Sequence, residues 1–259
     1  MKPQAIFLDI DGTLVSFKTH SIPASAQSAI HQLRNKGIKV IIATGRVHKE
    51  INNLEGLEFD GYITANGACC IDAKGKTITQ YSISKDSLEK LAFYLEQKPF
   101  SCTFSTNRGN FINYVDDRVL NVTQLVDLPV PSIKLVSEII EHDILQLSAF
   151  IDTELETELL NRVLTDCIGS RWHPAFVDFN VKHCNKATGM DIFLTYFNIE
   201  RKYTIAFGDG GNDISMLKHA AIGVAMDNAT DEVKETADYV TSSVDEDGII
   251  HALKHFNVL

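Results

Sequence analysis

The sequence lacks a long apolar segment, and this absence excludes one class of protein. No stretch of the 259 residues approaches the uninterrupted apolar length that a membrane span requires. The apolar run that precedes Asp9 is too short for a signal peptide, and charge interrupts it at once. The sequence therefore predicts neither a membrane protein nor a secreted one.

A surplus of positive charge is also missing. The chain carries 24 Lys and Arg against 34 Asp and Glu, which gives a formal net charge of -10. This balance argues against nucleic acid and anionic membrane surfaces as partners. An anionic small molecule is still allowed, because a pocket inside an acidic protein can be locally positive. The sequence leaves protein partners unknown.

Paired cysteines are absent as well. The five cysteines are odd in number and contain no Cys-x-x-Cys pair, which is typical of the reducing cytoplasm. The nine histidines show no spacing that indicates a transition-metal site. The cysteines are Cys69, Cys70, Cys102, Cys167 and Cys184.

Short apolar runs alternate with helical patterns at both ends of the chain. The strand-like runs AIFLDI, IKVIIAT and DGYITAN lie in the first part, and YTIAFGD and AIGVAM lie in the last part. Strands separated by helices predict right-handed βαβ units and a parallel sheet with both faces covered. The predicted helices are Ala24–Asn35, a polar helix starting near Val47, Lys186–Phe197, Asn212–His219, Thr230–Ala237 and Asp245–His255.

The middle of the chain has a different pattern. Ser84–Gln97 and Glu154–Asp166 are predicted as helices, but CTFST, NFINYV, LSAFI and FVDFN are strand-like runs without βαβ spacing. Hairpin-like turns between them indicate an antiparallel sheet with two helices. We therefore predict an α/β fold, a doubly wound parallel-sheet core of Rossmann-like type with an inserted α+β domain. The predicted divisions are 1–82 and 184–259 for the core and 83–183 for the insert.

Four polar segments directly follow predicted strands. They are DIDGT (9–13), TGR (44–46), ANGA (65–68) and GDGGND (208–213). The carboxyl ends of the strands in an open parallel sheet line one edge, where ligands bind. The four segments should therefore converge, and Lys186, at the start of a predicted helix, can reach the same edge.

The converging residue types fit a metal ion and a phosphate. Four carboxylates supply hard oxygen ligands, and such a cluster needs a cation to offset its repulsion. Few carboxylates, with room left for water and phosphate oxygens, suit Mg²⁺. Thr44, the backbone amides after it and Lys186 offer donors to an anion, and aspartate is a nucleophile for phosphoryl groups. The carboxylates are those of Asp9, Asp11, Asp209 and Asp213.

Some residues of these segments allow two interpretations. Arg46 fits a phosphate contact or a structural salt bridge, and Asn66 fits a turn or a contact on the substrate side. DIDGT is not an EF-hand loop, because Leu14 and His20 stand where that loop needs Gly and Glu. Two acids at a strand end can also be solvated turn residues, but the convergence of four segments argues against this.

The motifs DIDGTL, TGR, NGA, the isolated Lys186 and GDGGND resemble those of the haloacid dehalogenase superfamily, specifically its Cof-type sugar-phosphate phosphatases. The resemblance extends over the whole chain, and the insert resembles the family's C2B cap in position and pattern. It implies Mg²⁺ as the cofactor and an aspartyl-phosphate intermediate.

The resemblance also implies a role for each matching residue. Asp9 resembles the nucleophile, and Asp11 resembles the general acid/base that protonates the leaving alkoxide and then activates water. Lys186 resembles the cation that neutralises the transferring phosphoryl group. The implied phosphate-binding residues are Thr44, Gly45, Arg46, Lys186 and Asn212, and the implied metal ligands are Asp9, Asp11 through its backbone carbonyl, Asp209 and Asp213.

The predicted function is Mg²⁺-dependent hydrolysis of small phosphate monoesters, in particular hexose and pentose phosphates. A phosphomutase on the same fold and a non-catalytic phospholigand sensor are the alternatives. The retained nucleophile and metal ligands argue against a sensor, and the cap type argues against a mutase. In the cap, Arg108, His173 and Asp178 are candidates for substrate contact, and Trp172 is predicted to be cap core.

Overall fold

The computed structural model describes residues 2–259, which form two β-sheets with helices packed against each. No helix within this range is both long enough and apolar enough to cross a membrane. The strands are β1 (Ala5–Leu8), β2 (Lys39–Ala43), β3 (Gly61–Thr64), β4 (Cys69–Asp72), β5 (Thr77–Gln80), β6 (Cys102–Thr106), β7 (Gly109–Ile112), β8 (Ser132–Ile133), β9 (Gln146–Ala149), β10 (Cys167–Ser170), β11 (Val177–Val181), β12 (Thr204–Gly208), β13 (Ile222–Ala225) and β14 (Tyr239–Val240). The helices are α1 (Ala24–Asn35), α2 (Lys85–Gln97), α3 (Asp117–Leu125), α4 (Val136–Ile139), α5 (Thr153–Arg162), α6 (Lys186–Phe197), α7 (Ile214–His219), α8 (Asp231–Thr236) and α9 (Gly248–His255).

The first sheet is doubly wound, as predicted. Its order is β14-β13-β12-β1-β2-β3-β4-β5, parallel from β14 to β3 and antiparallel at β4 and β5. On β1, Ile6 and Leu8 face a buried cluster with α1 and α9, whereas Ala5 and Phe7 face a second cluster with α6 and α7. Both faces are covered, which is why the strand sequences are apolar without alternation.

The second sheet is antiparallel except at one edge. Its order is β10-β11-β9-β6-β7-β8, and only β7 and β8 run parallel. One face packs on α2, α4 and α5 through a cluster that includes Phe104, Leu147 and Phe179. Successive strand residues point to opposite faces, so their neighbours emerge on the other face. These neighbours are polar: Thr103, Ser105, Gln146, Ser148, Asp178 and Asn180.

The two sheets use separate parts of the chain. Strands of the first sheet come from residues 5–80 and 204–240, and those of the second come from residues 102–181. We therefore propose that residues 83–183 form the cap domain and that 1–82 and 184–259 form the core.

The predicted helix near Val47 is wrong. Residues 48–50 form a single 3-10 turn, and the backbone becomes extended again at Ile51. Asn52 and Asn53 follow, and their short polar side chains favour turns because they compete with the helix for backbone hydrogen bonds.

The cap contains two helices more than the sequence predicts, α3 and α4. Helix α3 begins after Asp116, whose carboxylate accepts hydrogen bonds from the backbone amides of Arg118 and Val119. Its buried residues are only Val119 and Val122. A stripe of two β-branched residues is too short to show helical periodicity, and β-branched residues favour strands, so the pattern gave no helix signal.

Gly189→Ala should lower the stability of the core, although alanine is the better helix former. A Cβ atom at Gly189 would lie 2.4 Å from Cγ2 of Ile63 on β3, so α6 packs on the sheet without room for a methyl group. The gain in helix propensity is about 1 kcal/mol, whereas overpacking costs about 1–3 kcal/mol. We therefore expect a lower free energy of unfolding in urea denaturation.

The control for this test is Ser28→Ala, on the exposed side of α1. It should change the free energy of unfolding by less than about 0.5 kcal/mol. A Gly189→Ala protein as stable as the control would show that β3 yields to the added methyl group.

Candidate functional site

A cavity of about 290 Å³ lies between the carboxyl edge of the core sheet and the polar face of the cap sheet. Three of the parallel strands deliver a predicted residue to it: Asp9 follows β1, Thr44 follows β2 and Asp209 follows β12. The predicted site residues in its wall are Asp9, Asp11, Thr44, Gly45, Arg46, Asp209 and Asn212. Lys186 and Asp213 lie behind the wall.

Lys186 is the first residue of α6, and its ammonium is fully enclosed. The side chain is 0% exposed, and Nζ donates to Oδ1 of Asp9 at 2.6 Å and to Oδ1 of Asp213 at 2.5 Å. Burial alone would lower the pKa of Lys186, but the carboxylates of Asp213 and Asp9 outweigh it and raise the pKa. The lysine is therefore held charged at neutral pH.

Asp213 fixes the loop that carries Asp209. While its Oδ1 accepts from Lys186, its Oδ2 accepts from the backbone amides of Asp209 at 3.0 Å and Gly210 at 2.9 Å. Both oxygens are thus engaged within the protein. This carboxylate orients the loop and the lysine, and it has less capacity left for a further ligand than Asp9 or Asp209.

The donor chemistry of the site fits Mg²⁺. Asp9, Asp209 and Asp213 place one carboxylate oxygen each within 4.8 Å of one another. Burial and the charge of Asp213 raise the pKa of Asp9, and they raise the pKa of Asp209 to about 7. Three carboxylates and one ammonium leave two negative charges, which a divalent cation offsets. An all-oxygen donor set is the one that Mg²⁺ prefers.

Gly12 allows the loop after β1 to approach Asp209. Its φ is +85°, and a Cβ atom there would lie 2.2 Å from Oδ2 of Asp209. Next to it, Thr13 donates from Oγ1 to Oδ1 of Asp209 at 2.7 Å. A glycine is required here for both its left-handed backbone and its lack of a side chain.

The carboxylate of Asp11 does not join the acidic group. It pairs with Arg46, whose Nε donates to Oδ2 at 2.8 Å and whose Nη2 donates to Oδ1 at 2.5 Å. The other contacts of the guanidinium are the backbone carbonyls of Glu50 at 3.2 Å and Val126 at 3.0 Å. Of the two interpretations of Arg46, the salt bridge is the one formed in this structure. Val126 directly follows α3, so Arg46 also contacts the segment proposed as the cap.

The three remaining predicted residues, Thr44, Gly45 and Asn212, line the cavity from the loops after β2 and β12. Thr44 is buried, and its Oγ1 accepts from the amide of Arg46 at 3.1 Å. The carbonyl of Gly45 accepts from Nε2 of Gln146 in the cap at 3.3 Å. Asn212 donates from Nδ2 to Oδ1 of Asn66 at 2.9 Å. The loops after β2 and β12 are thus each held by a contact outside themselves.

The cap contributes a polar floor and an apolar side wall to the cavity. The floor consists of residues from β6, β7, β9 and β11, and the side wall comes from α3, the segment after it and the segment before β11. The floor residues are Thr103, Ser105, Asn110, Gln146, Ser148 and Asp178. The side wall includes Val122, Leu125, Val126, Leu128, Pro129, Pro131, Trp172 and Phe176.

Only some of the cap residues predicted from the sequence to contact substrate line the cavity. His173 and Asp178 line the cavity, but Arg108 is exposed on the turn between β6 and β7 and does not. Trp172 also lines the cavity, packed edge-on against Phe176 at a centroid distance of 5.2 Å, so its assignment to the cap core is incomplete.

Sequence reasoning missed several residues of the site. Asn228 lies just beyond β13 and donates from Nδ2 to the carbonyl of Gly12 at 2.8 Å and to Oδ2 of Asp209 at 3.2 Å. The rule that ligands bind at the carboxyl edge would have pointed to it. Gln146 and Ser148 could also have been found from the sequence, because polar residues alternate with apolar ones along β9 and indicate a separate polar face.

A family model for haloacid dehalogenase-like hydrolases matches residues 6–253 of this chain. Among curated relatives, 5-amino-6-(5-phospho-D-ribitylamino)uracil phosphatase YcsE of Bacillus subtilis is 29% identical, over 97% of this chain and 94% of its own length. Phosphatase YwpJ of the same organism is 29% identical, over 96% of this chain and 98% of its own length.

Solved structures show the same architecture. The HAD subclass IIB sugar phosphatase BT4131 is 41% identical to this chain, with a TM-score of 0.93 over 99% of this chain and 100% of that one. The phosphatase BT1666 from Bacteroides thetaiotaomicron is 37% identical, with a TM-score of 0.92 over 100% of this chain and 96% of that one.

Asp178→Asn should flatten the dependence of stability on pH. Burial raises the pKa of Asp178 to about 7, despite hydrogen bonds from Ser148 and Asn66. An unfolded aspartate titrates near about 3.9, so the folded state binds more protons across the interval between these two values. The contribution of protonated Asp178 to the free energy of unfolding is complete below the pKa of the unfolded aspartate. It is lost as the pH rises to about 7.

Urea denaturation across this pH interval measures the effect. Wild type should lose more unfolding free energy with rising pH than Asp178→Asn, which has no proton to release at this position. Asp231→Asn, at an exposed position of α8, is the control and should keep the wild-type slope. An unchanged slope in Asp178→Asn would contradict the raised pKa.

Proposed function

Because the chain belongs to the haloacid dehalogenase-like hydrolases and is a phosphatase of that family, we propose that it hydrolyses small phosphate monoesters at Asp9 with the help of Mg²⁺. Sugar phosphates are the proposed substrates. The observation that carries the proposal is the pairing of Asp9 with the buried Lys186 beside the oxygens of Asp209, at the core side of the cavity.

Asp9 is the proposed nucleophile. Its Oδ1 accepts from Lys186, and its other oxygen remains available to attack phosphorus. A bond forms between this oxygen and phosphorus while the bond from phosphorus to the ester oxygen breaks. Asp11 gives a proton to the leaving alkoxide. Water then attacks the aspartyl-phosphate, Asp11 takes its proton, and inorganic phosphate leaves as Asp9 is restored.

Arg46 holds the carboxyl group of Asp11 in this proposal. The guanidinium fork binds both oxygens of Asp11 and fixes the plane of the group. Each oxygen of Asp11 keeps a further lone pair, and this is where Asp11 carries the proton that it gives to the leaving alkoxide and later takes from water. Thr44, the amide after it and Asn212 are the proposed contacts of the phosphate oxygens.

Asp9 and Asp209 are the residues proposed to hold Mg²⁺ directly, with the backbone carbonyl of Asp11 as a third donor and Asp213 as support. When bound, the ion neutralises charge on the phosphate oxygens and withdraws electrons from phosphorus. Lys186 contributes a fixed positive charge beside Asp9.

The leaving group is proposed to be a sugar because the cavity offers polar and apolar contacts together. Asn110 lines the cavity, and its Oδ1 is buried without a hydrogen-bond partner among residues 2–259. Buried acceptors are normally paired, so a hydroxyl donor from a ligand fits this position. The similarity to a sugar phosphatase at 41% identity supports the same substrate class. A cytoplasmic location is also proposed, since all five cysteines are free and buried.

The substrate class is tested by a hydrolysis screen with Mg²⁺ over sugar phosphates, nucleotides, pyridoxal phosphate and a phosphoprotein. We expect turnover of several hexose or pentose phosphates with modest discrimination. Efficient turnover confined to the phosphoprotein would overturn the proposal, because the proposed leaving group is a small molecule held between the core edge and the cap.

Asp9→Asn should abolish turnover and leave the fold intact. The amide oxygen still accepts from Lys186, but the amide is a poor nucleophile, so kcat should fall by roughly three orders of magnitude or more. Mass spectrometry of acid-quenched wild type should detect a phosphoryl group on the peptide that contains Asp9. The control Asp227→Asn changes an exposed carboxylate near the same edge and should keep normal activity. Substantial turnover by folded Asp9→Asn would reject this nucleophile.

Asp209→Ala should weaken the activation by Mg²⁺. The substitution removes one of the two carboxylates proposed as direct ligands, so the Mg²⁺ concentration for half-maximal activity should rise about tenfold or more. Chelation should silence wild type, and added Mg²⁺ should restore it. Asp231→Ala, on the exposed surface of α8, is the control. If Asp209→Ala kept the wild-type midpoint, the ligand assignment would be wrong.

A further inference from the structure

Asn66 lies behind the cavity wall, in the turn that joins β3 to β4. It is 3% exposed and does not itself line the cavity. The three side chains that it contacts, those of Asn212, Gln146 and Asp178, all line the cavity. Asn66 is therefore placed to act on the site through its neighbours.

The backbone at Asn66 is fixed in an unusual conformation. The φ angles of Ala65, Asn66 and Gly67 are +47°, +53° and +99°. The amide of Asn66 donates to the carbonyl of Thr44 at 3.0 Å, and the amide of Ala65 donates to the carbonyl of Arg46 at 2.9 Å. The turn is thus anchored on the loop after β2. Asparagine tolerates the left-handed region better than most residues, so its backbone needs no glycine.

The side chain of Asn66 links the core to the cap. Its Oδ1 accepts from Nδ2 of Asn212 at 2.9 Å, on the loop that carries Asp209. Its Nδ2 donates to Oε1 of Gln146 at 3.1 Å and to Oδ2 of Asp178 at 3.2 Å, on strands β9 and β11 of the cap. One amide group thus joins three elements that are distant in sequence.

The position of the cap determines whether the buried carboxylate of Asp178 keeps its hydrogen bond from Asn66. Asp178 is 2% exposed, and its hydrogen bonds come from Ser148 at 2.6 Å, within the cap, and from Asn66, across the interface. No cationic side chain within residues 2–259 pairs with Asp178. A buried carboxylate is costly when it loses a donor, so the docked position of the cap is favoured by the amide of Asn66.

We propose that Asn66 is a positioning residue that docks the polar floor of the cap on the loop carrying Asp209, through Gln146 and Asp178 on one side and Asn212 on the other. This inference rests on the proposed function only for its activity test. A substrate whose leaving group fills the cap depends on this docking, whereas a substrate that is little more than a phosphoryl group depends on the core alone.

Asn66→Gly tests the contribution of the side chain apart from that of the backbone conformation. Glycine allows the left-handed turn and removes the amide group of the side chain. The two substrates are a hexose phosphate, which reaches the cap, and acetyl phosphate, whose leaving group is small. We expect kcat/KM to fall about tenfold or more for the hexose phosphate and less than about threefold for acetyl phosphate. A residue that merely stabilises the fold would lower both alike.

The matched control is Asn198→Gly. Asn198 follows α6, has the same φ of +53° and is exposed, so the same substitution there changes the backbone equally and leaves the cavity alone. Its activity on both substrates should equal that of wild type.

A double-mutant cycle tests the contact itself. Asp178→Asn changes the chemistry of the cap partner and keeps its shape. The fall in kcat/KM for the hexose phosphate that this substitution causes should be much smaller in the Asn66→Gly background than in wild type. Additive effects would mean that the two residues act independently, and the proposal would fail.

Hydrogen–deuterium exchange provides a readout that needs no activity. Loss of docking should speed exchange in residues 81–84 and 182–185, which connect the domains, in Asn66→Gly but not in Asn198→Gly. If wild type hydrolysed neither substrate, the proposed function would fail, and exchange alone would decide the role of Asn66. Equal exchange in both variants, or equal losses on both substrates, would overturn the inference.

Discussion

The ammonium of Lys186, enclosed between the carboxylates of Asp9 and Asp213, is the interaction on which the rest of the structure depends. A lysine that is 0% exposed is tolerated only because two carboxylates surround it, and these carboxylates are buried at a strand end only because the lysine is there. The contact joins the first strand of the chain to the start of α6 and the loop after β12. It therefore holds together two parts of the core that the cap sequence separates by about one hundred residues, and removing Lys186 would leave two buried carboxylates without their cation.

The excess of negative charge around this lysine explains why the cavity is built as two different halves. Asp9 and Asp209 face the cavity with raised pKa values, so the core edge is prepared for a cation and for the phosphate that accompanies it. The carboxylate of Asp11 is paired with Arg46, which offsets part of its negative charge. The cap adds no cationic side chain that competes for the carboxylates. It closes the edge with apolar side chains and with polar groups of which Asp178 is the one carboxyl group in the floor, and these suit the uncharged part of a phosphate ester.

Much of the core and its motif residues could be predicted from the sequence, because strand runs, helix spacing and the carboxyl-edge rule are local or topological signals. The partners of individual side chains could not. Arg46 lies within a motif that also suits a phosphate contact, and only the relative positions of the loops after β1 and β2 show that its guanidinium meets Asp11. The contacts of Asn66 with Gln146 and Asp178 join residues 80 and 112 positions apart and depend on how the cap docks. Helix α3 was missed for a different reason, since its short stripe of valines has no helical period.

Polar and apolar residues alternate along the cap strands, and the polar face that results is buried in this structure. An antiparallel sheet with one face in solvent alternates apolar and polar residues, and the cap strands show that same pattern. Here the polar residues are buried: Thr103, Ser105, Gln146 and Asp178 are all less than 7% exposed. A buried polar face must find partners, so a second polar surface has to cover it. The carboxyl edge of the core covers this face, with hydrogen bonds at Asn66, Gly45 and Ala65. Gln146, Asp178 and Asn180 of the cap sheet make these hydrogen bonds to the core. In the proposed function, discrimination among leaving groups comes from floor atoms without a protein partner, such as Oδ1 of Asn110, and from the shape of the apolar side wall.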